Sequence, residues 1–266
     1  MVLLAATLSC PAALADKKQL AKVYADKATV ENLQMSTRSS ALSHINQAIA
    51  MDNNNAYYYH IKASIYWKQE EDQPALDNIN RAIELNPGVA AFYETKACIL
   101  QTLGRTQDAL ATIDKALKMQ DSLEYHVDKA SILTSLRRFN EAKVELDKLI
   151  KENPKNPIPR VRRVTVNNNL KNWTGVIEDM DFLIGFDDKN TISYYMHFVD
   201  RANAYMMLKQ YDKAEKDLQF AVKKMPDLRE THRALLALYK ATGRSKEANA
   251  ELAKMADLDD DIRPFK

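Results

Sequence analysis

A small residue recurs along this chain at almost constant intervals. Its positions are Ala41, Ala75, Ala109, Ala142, Val176, Ala214 and Ala248, and the intervals are 34, 34, 33, 34, 38 and 34 residues. A second, mostly small set lies twelve residues before each of the last six, at Ala63, Ala97, Ala130, Val164, Ala202 and Leu236. Two small residues at a fixed separation allow two helices to approach closely. The period therefore predicts a row of stacked two-helix units.

The stretch 90–121 shows one such unit clearly. Apolar residues recur at helical spacing before Gly104 and again after it, so each helix has one apolar stripe that neighbouring units must cover. Only five Gly and eight Pro occur among the 266 residues, which argues against a fold rich in strands and glycine turns. The predicted fold class is therefore all-α.

The unit resembles the tetratricopeptide repeat. Aromatic or apolar residues stand three places after the first small residue at Tyr66, Leu100, Leu133, Tyr205 and Tyr239, and an aromatic residue precedes the second at Phe139, Trp173 and Tyr211. Proline closes repeats at Pro87, Pro154 and Pro226, and glycine occupies the inner turn at Gly104 and Gly243. The resemblance implies a right-handed α-α superhelix, a solenoid over residues 16–258. Its seven or so repeats lie near residues 22–55, 56–89, 90–122, 123–156, 157–194, 195–228 and 229–258.

The first and fifth units depart from the pattern. In the first, Thr29 stands where a small residue is expected, and the predicted apolar stripe is Leu20, Val23, Tyr24 and Leu33. An atypical terminal unit is typical of a cap. In the fifth, three prolines lie close together at the beginning, and Asn167–Asn169 replace the usual apolar packing residue. Residues 185–190 contain four residues more than the usual 34-residue interval allows. We expect a bend or soft joint between about residues 153 and 192.

The first fifteen residues carry no charge and end in Ala13-Leu14-Ala15. Although no basic residue precedes the apolar run, this pattern predicts a secretory signal cleaved after Ala15 and hence a secreted or periplasmic protein. The run is too short to span a bilayer. The alternative is an outer-membrane lipoprotein acylated at Cys10. Residues 259–266 predict an acidic, solvated tail.

The charges exclude one class of partner. The 38 Lys and Arg are dispersed among 36 Asp and Glu, so the chain lacks the basic surface of a nucleic-acid-binding protein. We expect no nucleic-acid partner, no membrane span and no cofactor. The sequence is compatible with a homo-oligomer.

The sequence also contains no pattern of catalytic or metal-binding residues. HExxH, paired CxxC, phosphate-loop and GxSxG motifs are absent. His60, His126, His197 and His232 fall in different repeats, too far apart for one metal ion, and are expected to be exposed or partly packed. Cys98, alone on a predicted helix, is expected to be a small packing residue rather than a nucleophile. The chain is therefore predicted not to be an enzyme.

A basic residue precedes the first small residue in five units, at Lys62, Lys96, Lys129, Arg163 and Arg201. Acidic residues recur on the second helices at Asp114, Asp147 and Asp181. This arrangement favours ion pairs between neighbouring helices. The alternative, which it favours less, is a row of cationic side chains that binds a ligand.

The resemblance implies that the first helices line a concave groove. The groove positions expected to contact a partner are Tyr57, His60, Ser64, Trp67, Glu94, Thr95, Asp128, Ser131, Arg162, Asn168, Asp200, Asn203 and Arg233. Tyr57 and Trp67 either anchor a partner side chain or cover a repeat junction. Some family members hold a chaperone's C-terminal carboxylate with Lys, Asn and Arg, but Glu124 and Asp128 stand in that region here and would repel it.

The sequence thus predicts a non-catalytic adaptor or scaffold that binds a peptide or protein segment in the groove. One alternative is a lipoprotein for envelope complex assembly. The other is a small-molecule or glycan-binding protein that uses the region of Tyr57 and Trp67.

Overall fold

A computed structural model describes residues 11–260. Most of the predicted signal, including Cys10, and most of the predicted acidic tail lie outside the described residues, at 1–10 and 261–266. The signal, its cleavage and its acylation therefore stay predictions.

The described residues form fourteen α-helices and no strand, so the predicted all-α class is confirmed. The helices are α1 (Pro11–Glu31), α2 (Arg38–Met51), α3 (Ala56–Lys68), α4 (Asp72–Leu85), α5 (Ala90–Thr102), α6 (Thr106–Met119), α7 (Leu123–Ser135), α8 (Phe139–Glu152), α9 (Pro157–Asn169), α10 (Trp173–Phe186), α11 (Ile192–Met207), α12 (Tyr211–Lys224), α13 (Arg229–Ala241) and α14 (Ser245–Asp260). None of these helices combines the length and the apolar character that crossing a membrane would need.

The chain divides into two compact units. The N-terminal unit ends at Leu136 and the C-terminal unit begins at Arg137. In the N-terminal unit α1–α2, α3–α4 and α5–α6 pack as pairs, and the successive first helices α1, α3, α5 and α7 contact one another. In the C-terminal unit α9–α10, α11–α12 and α13–α14 pack as pairs, and α11 contacts α13.

The periodic small residues lie where the paired helices meet. Ala63 and Ala75 are fully buried between α3 and α4, as are Ala97 and Ala109 between α5 and α6. A methyl group at these positions permits close helix packing, so burial explains the period in the sequence. In the last repeat the pattern shifts, because Ala234 is buried and Leu236 is only partly buried.

The predicted apolar stripe of the first repeat is wrong at three of its four positions, whereas Tyr24 packs against the core. Leu20, Val23 and Leu33 are exposed, and the face of α1 that packs on α2 carries Ala21, Ala25 and Ala28 instead. Six residues separate α1 from α2, whereas three separate α3 from α4. The twelve-residue offset therefore does not hold in the first repeat. This helix also begins at Pro11, before the predicted start of the repeat at residue 22.

A buried polar cluster replaces apolar packing in the fifth repeat. Arg163 donates from Nε and Nη2 to the two carboxylate oxygens of Asp179, at 3.0 and 2.6 Å. Asn167 donates to the same carboxylate at 3.3 Å and accepts from Asn172 at 3.0 Å. A side chain at Gly175 would displace these asparagines, because its Cβ would lie 2.5 Å from Nδ2 of Asn172 and 2.7 Å from that of Asn167. Sequence analysis identified the unusual asparagines but not the ion pair that they support.

The four-residue excess lies later than its predicted place. Gly185 and Phe186 belong to α10, and the extra residues lengthen the following loop and the beginning of α11. The α11 helix accordingly has 16 residues, against 13 in α3, α5, α7, α9 and α13. The bend between about residues 153 and 192 stays a prediction.

Candidate functional site

Most of the predicted partner-binding residues of the N-terminal unit lie on a surface shared by α3, α5 and α7, whereas Thr95 is buried. We call this surface the first-helix face and define it by Tyr57, His60, Glu94, Cys98, Asp128 and Ser131. Tyr57 lies at its edge with 54% of its surface exposed. The Tyr57 ring packs edge-on against buried Phe92, with the centroids 5.3 Å apart, and His60 packs on the same phenylalanine at 5.1 Å. Phe92, which sequence analysis did not select, is thus a buried residue on which both side chains pack.

A hydrogen-bond chain joins α3 to α5 across the first-helix face. Oγ1 of Thr95 donates to Oε2 of Glu94 at 3.0 Å, and Nε2 of His60 lies 2.9 Å from the same hydroxyl oxygen. Because the hydroxyl proton goes to Glu94, the hydrogen bond from His60 requires a proton on Nε2. Burial lowers the pKa of His60, which favours this neutral tautomer.

Thr95 therefore has a different role from the one predicted. It is buried, and its hydroxyl is occupied by His60 and Glu94. It positions these two side chains and presents no surface to a partner.

Glu94, Cys98 and Asp128 form the acidic part of the first-helix face. Sγ of Cys98 donates to Oε1 of Glu94 at 3.5 Å, and the ligand atoms of all three residues lie within 4.8 Å of one another. Burial raises the pKa of Glu94, and the negative charge of Glu124 adds to this effect. Burial also raises the pKa of the Cys98 thiol well above its usual range, with contributions from Glu94 and Asp128. A protonated thiol is a poor nucleophile, so we assign Cys98 no such role.

Other contacts join α5 to α7. Nε2 of Gln101 donates to Oγ of Ser135 at 2.7 Å and to Oγ of Ser131 at 3.4 Å. Ser64, by contrast, donates to the carbonyl oxygen of His60 within its own helix. Gln101 and Ser135 were missed by sequence analysis, which considered only the positions that the family pattern names.

Tyr57 and Trp67 do not form one aromatic anchor. They stand near opposite ends of α3, ten residues apart. At a rise of about 1.5 Å per residue this separation is about 15 Å along the helix axis. One partner side chain would therefore contact only one of the two rings, and the choice between an anchor and a covered repeat junction stays a prediction.

In the C-terminal unit, three of the predicted residues lie together and two lie elsewhere. Asp200, Asn203 and Arg233 line a cavity of about 300 Å³ between α11 and α13, which we call the Asp200 pocket. Its remaining walls are Met196, Val199, Glu230, Ala234 and Ala237. Arg162 and Asn168 are exposed on α9 and do not line this pocket.

The polar side chains of the Asp200 pocket are not bonded to each other. Asp200, Asn203, Glu230 and Arg233 have no hydrogen-bond or ion-pair partner in the part of the chain that the structure describes. Burial raises the pKa of Asp200, an effect that His197 partly offsets. The pocket therefore contains a half-buried carboxylate that accepts no hydrogen bond from the described residues, beside the apolar side chains of Val199 and Ala234.

His232 is buried rather than exposed or partly packed as predicted. Only 3% of its surface is accessible, and its Nδ1 lies 2.6 Å from Oε2 of Glu251. Its Nε2 lies 2.6 Å from the carbonyl oxygen of Pro226. Since both ring nitrogens face oxygen atoms, His232 connects α13 to α14 and to the preceding loop and is not a partner-binding residue.

The predicted ion pairs between helices are confirmed for three of the five basic positions. Lys129 pairs with Asp114 at 3.0 Å. Arg163 pairs with Asp147 and Arg201 with Asp181, each at 2.6 Å. These cations stabilise the packing of neighbouring helices and do not form a row of cationic side chains that binds a ligand.

A family model for the tetratricopeptide repeat matches residues 56–88, 90–122 and 123–156. These ranges correspond to the pairs α3–α4, α5–α6 and α7–α8. No curated protein sequence matches the chain.

Several solved structures share the fold. PilW, described as a widely conserved type IV pilus biogenesis factor, has a TM-score of 0.69 at 16% identity, covering 85% of this chain and 100% of PilW. Pseudomonas aeruginosa pilF has a TM-score of 0.65 at 13% identity, covering 82% of this chain and 97% of the other. YrrB, described as a tetratricopeptide repeat protein with an unusual peptide-binding site, has a TM-score of 0.56 at 18% identity, covering 71% and 96%. At these identities the likeness shows the fold alone.

Proposed function

We propose that this chain, three stretches of which match the tetratricopeptide repeat model, is a non-catalytic adaptor whose first-helix face binds an extended segment of a partner protein. Proteins of this family typically act as interaction scaffolds, and YrrB is a structural relative described as having a peptide-binding site. The observation that carries the proposal is the continuity of the first-helix face, where contacts from His60 to Thr95 and from Gln101 to Ser131 join three successive helices.

The side chains of this face suit a peptide more than a catalytic reaction. Tyr57 offers an exposed ring on a rigid support, which gives a large contact area at a small entropic cost. Glu94 and Asp128 offer oxygen acceptors to amide and cationic groups. Cys98, the cysteine of this face, is held as a protonated thiol, because burial raises its pKa.

Site-specific photocross-linking would test this proposal in the organism that encodes the protein. A photoreactive amino acid at Tyr57 or Ser131 should capture the same partner protein in a discrete adduct. The matched control is Thr112, which is partly exposed, like Ser131, and lies on α6, a second helix. Equal capture from Thr112, or no adduct from either position on the face, would overturn the proposal.

The acidic groups also predict which peptides are rejected. Glu124 and Asp128 stand where a carboxylate-binding clamp would need cations. A peptide with an acidic C-terminus should therefore bind more weakly than the same peptide with an amidated, neutral C-terminus. Tighter binding of the acidic peptide would show that the face has a different specificity.

A small-molecule ligand is the second candidate. A depression of about 580 Å³ lies between α1 and α3, lined by Tyr57 together with Lys18, Lys22, Asp26 and Asp52. Its volume is in the range of small-molecule sites. Thermal stabilisation by a compound, abolished by Tyr57→Ala, would favour this function over the adaptor if no protein is captured.

We also propose that the protein is exported. The support is the uncharged segment that ends at Ala15. Mature protein that begins at Asp16 is expected on N-terminal sequencing. Acylation of Cys10 would instead establish the lipoprotein alternative, and an intact N-terminus would overturn both.

A further inference from the structure

We propose that the Asp200 pocket of the C-terminal unit receives a lysine or arginine side chain of a partner protein. The inference rests on the adaptor function and specifies one feature of the partner that is recognised. It concerns a cavity between α11 and α13, separate from the residues that define the first-helix face.

The first reason is the hydrogen bonding of Asp200. Carboxylates that are partly removed from water are normally paired or hydrogen-bonded, because desolvation otherwise disfavours their charge. Asp200 has no hydrogen-bond donor among the described residues, and burial raises its pKa. A cationic group in the pocket would supply both the donor and the opposite charge.

The second reason is the shape and lining of the pocket. Val199, Ala234 and Ala237 form apolar walls beside the carboxylate. A lysine or arginine side chain combines an apolar stem with a charged end, and it buries the stem against such surfaces. A cavity of about 300 Å³ has room for one such side chain.

The third reason is the balance of charge. Asp200 and Glu230 contribute two carboxylates, and Arg233 contributes one guanidinium. Glu230 and Arg233 are exposed and hence well solvated, whereas Asp200 is half-buried. The deeper charge makes the stronger contribution to recognition, since a lower local dielectric strengthens its interactions.

Glu94 of the first-helix face provides an informative contrast. Its two carboxylate oxygens already accept hydrogen bonds from Thr95 and Cys98. Asp200 has no such internal donors, so the need for a donor from a ligand is greater in the Asp200 pocket.

Methyl NMR of the full chain labelled at methionine would test the proposal, because Met196 lines the pocket. Met196→Leu would assign the reporter signal. The probes are the acetylated amides of lysine, arginine and the uncharged isostere norleucine. Lysine and arginine probes should shift the Met196 signal in a saturable manner, and norleucine should not.

Two variants test which residue is responsible. Asp200→Asn should weaken binding of the lysine probe about tenfold, as expected for the loss of a charged hydrogen bond. Asp212→Asn, at an exposed position on α12, should leave the affinity unchanged. Arg233→Gln should strengthen binding, because it removes a like charge from the rim.

The outcomes separate this inference from the adaptor function. Equal shifts with norleucine, or unchanged binding in a folded Asp200→Asn variant, would overturn the inference even if Tyr57 and Ser131 still capture a partner. Binding of the lysine probe at Asp200, with no partner captured from the first-helix face, would support the pocket and overturn the adaptor function.

Discussion

Gly104 and Gly243 adopt φ angles of 74° and 73°, in the left-handed region that L side chains rarely occupy. Glu70, Lys171 and Lys209 take similar angles in the corresponding turns of other repeats, with φ between 55° and 63°. The turn between the helices of a repeat therefore requires a left-handed residue whether or not glycine is present. Glycine at Gly104 lowers the conformational cost of that turn.

Two glycine substitutions should act in opposite directions. Gly104→Ala should lower the free energy of unfolding by about 1 kcal/mol, because alanine is strained at this angle. Gly185→Ala should raise it by about 0.5 kcal/mol, since Gly185 lies in α10 with no atom within 4 Å of an added Cβ. Urea unfolding of both variants would measure the difference. A Gly104→Ala variant as stable as the parent protein would contradict the role of the turn.

His60 should make folding sensitive to acid. Burial lowers its pKa in the folded protein, so the unfolded chain binds the proton more readily as the pH falls. Stability contributed by neutral His60 is therefore present above the ordinary pKa of histidine and is lost below it. His60→Gln should reduce the loss of unfolding free energy between pH 7.5 and pH 5.0, as measured by urea unfolding at the two pH values. An equal or larger loss in the variant would show that His60 does not contribute.

At the scale of elements, α9 and α10 are held together by polar contacts as well as by apolar ones. Asp179 is fully buried and receives two hydrogen bonds from Arg163. The other carboxylate bonded to Arg163, that of Asp147, is partly exposed. The two acids should therefore differ in their importance to the same arginine.

Asp179→Ala should destabilise the protein by about 3 kcal/mol, because it leaves Arg163 buried without its bidentate partner. Asp147→Ala is the matched control and should cost about 1 kcal/mol or less, since water can solvate that side of the guanidinium. Thermal or urea unfolding would compare the two. Equal losses of unfolding free energy in the two variants would mean that the burial of Asp179 does not make its ion pair more stabilising than that of Asp147.

Most elements could be predicted from the sequence because their boundaries follow local chemistry. Pro157 begins α9 and Gly104 follows α5, as the sequence pattern indicates. The stripe on α1 could not be predicted correctly, since exposed Leu20 and Val23 are more hydrophobic than the alanines that pack on α2. Residue hydrophobicity favours leucine for burial, whereas the close approach of two helices favours alanine.

At the scale of the whole molecule, the repeats differ in how their packing is achieved. The repeat at 90–122 buries Phe92, Leu100 and Ile113, whereas the fifth repeat buries Arg163, Asn167 and Asp179. Polar clusters depend on complete hydrogen bonding, so a partial opening exposes groups that water can stabilise. The soft joint between about residues 153 and 192 stays a prediction, which experiment can test.

Hydrogen exchange should reveal that difference. Backbone amides in 153–192 should exchange faster than those in 90–122 in the intact chain, because local opening is easier there. Peptide-resolved mass spectrometry would measure both ranges in one sample. Uniform protection across the two ranges would contradict the soft joint.

The sequence alone determined the all-α class, the two-helix period and the turn positions, because small residues, glycines and prolines act through local geometry that repeats along the chain. Its resemblance to the tetratricopeptide repeat also placed Asp200, Asn203 and Arg233 on one predicted surface. Only the tertiary structure decided that these three share a cavity, that Thr95 is occupied by His60 and Glu94, and that His232 is buried against Glu251. Hydrogen bonds and burial depend on side chains from different helices, and the spacing of residues along one chain does not specify how those side chains meet.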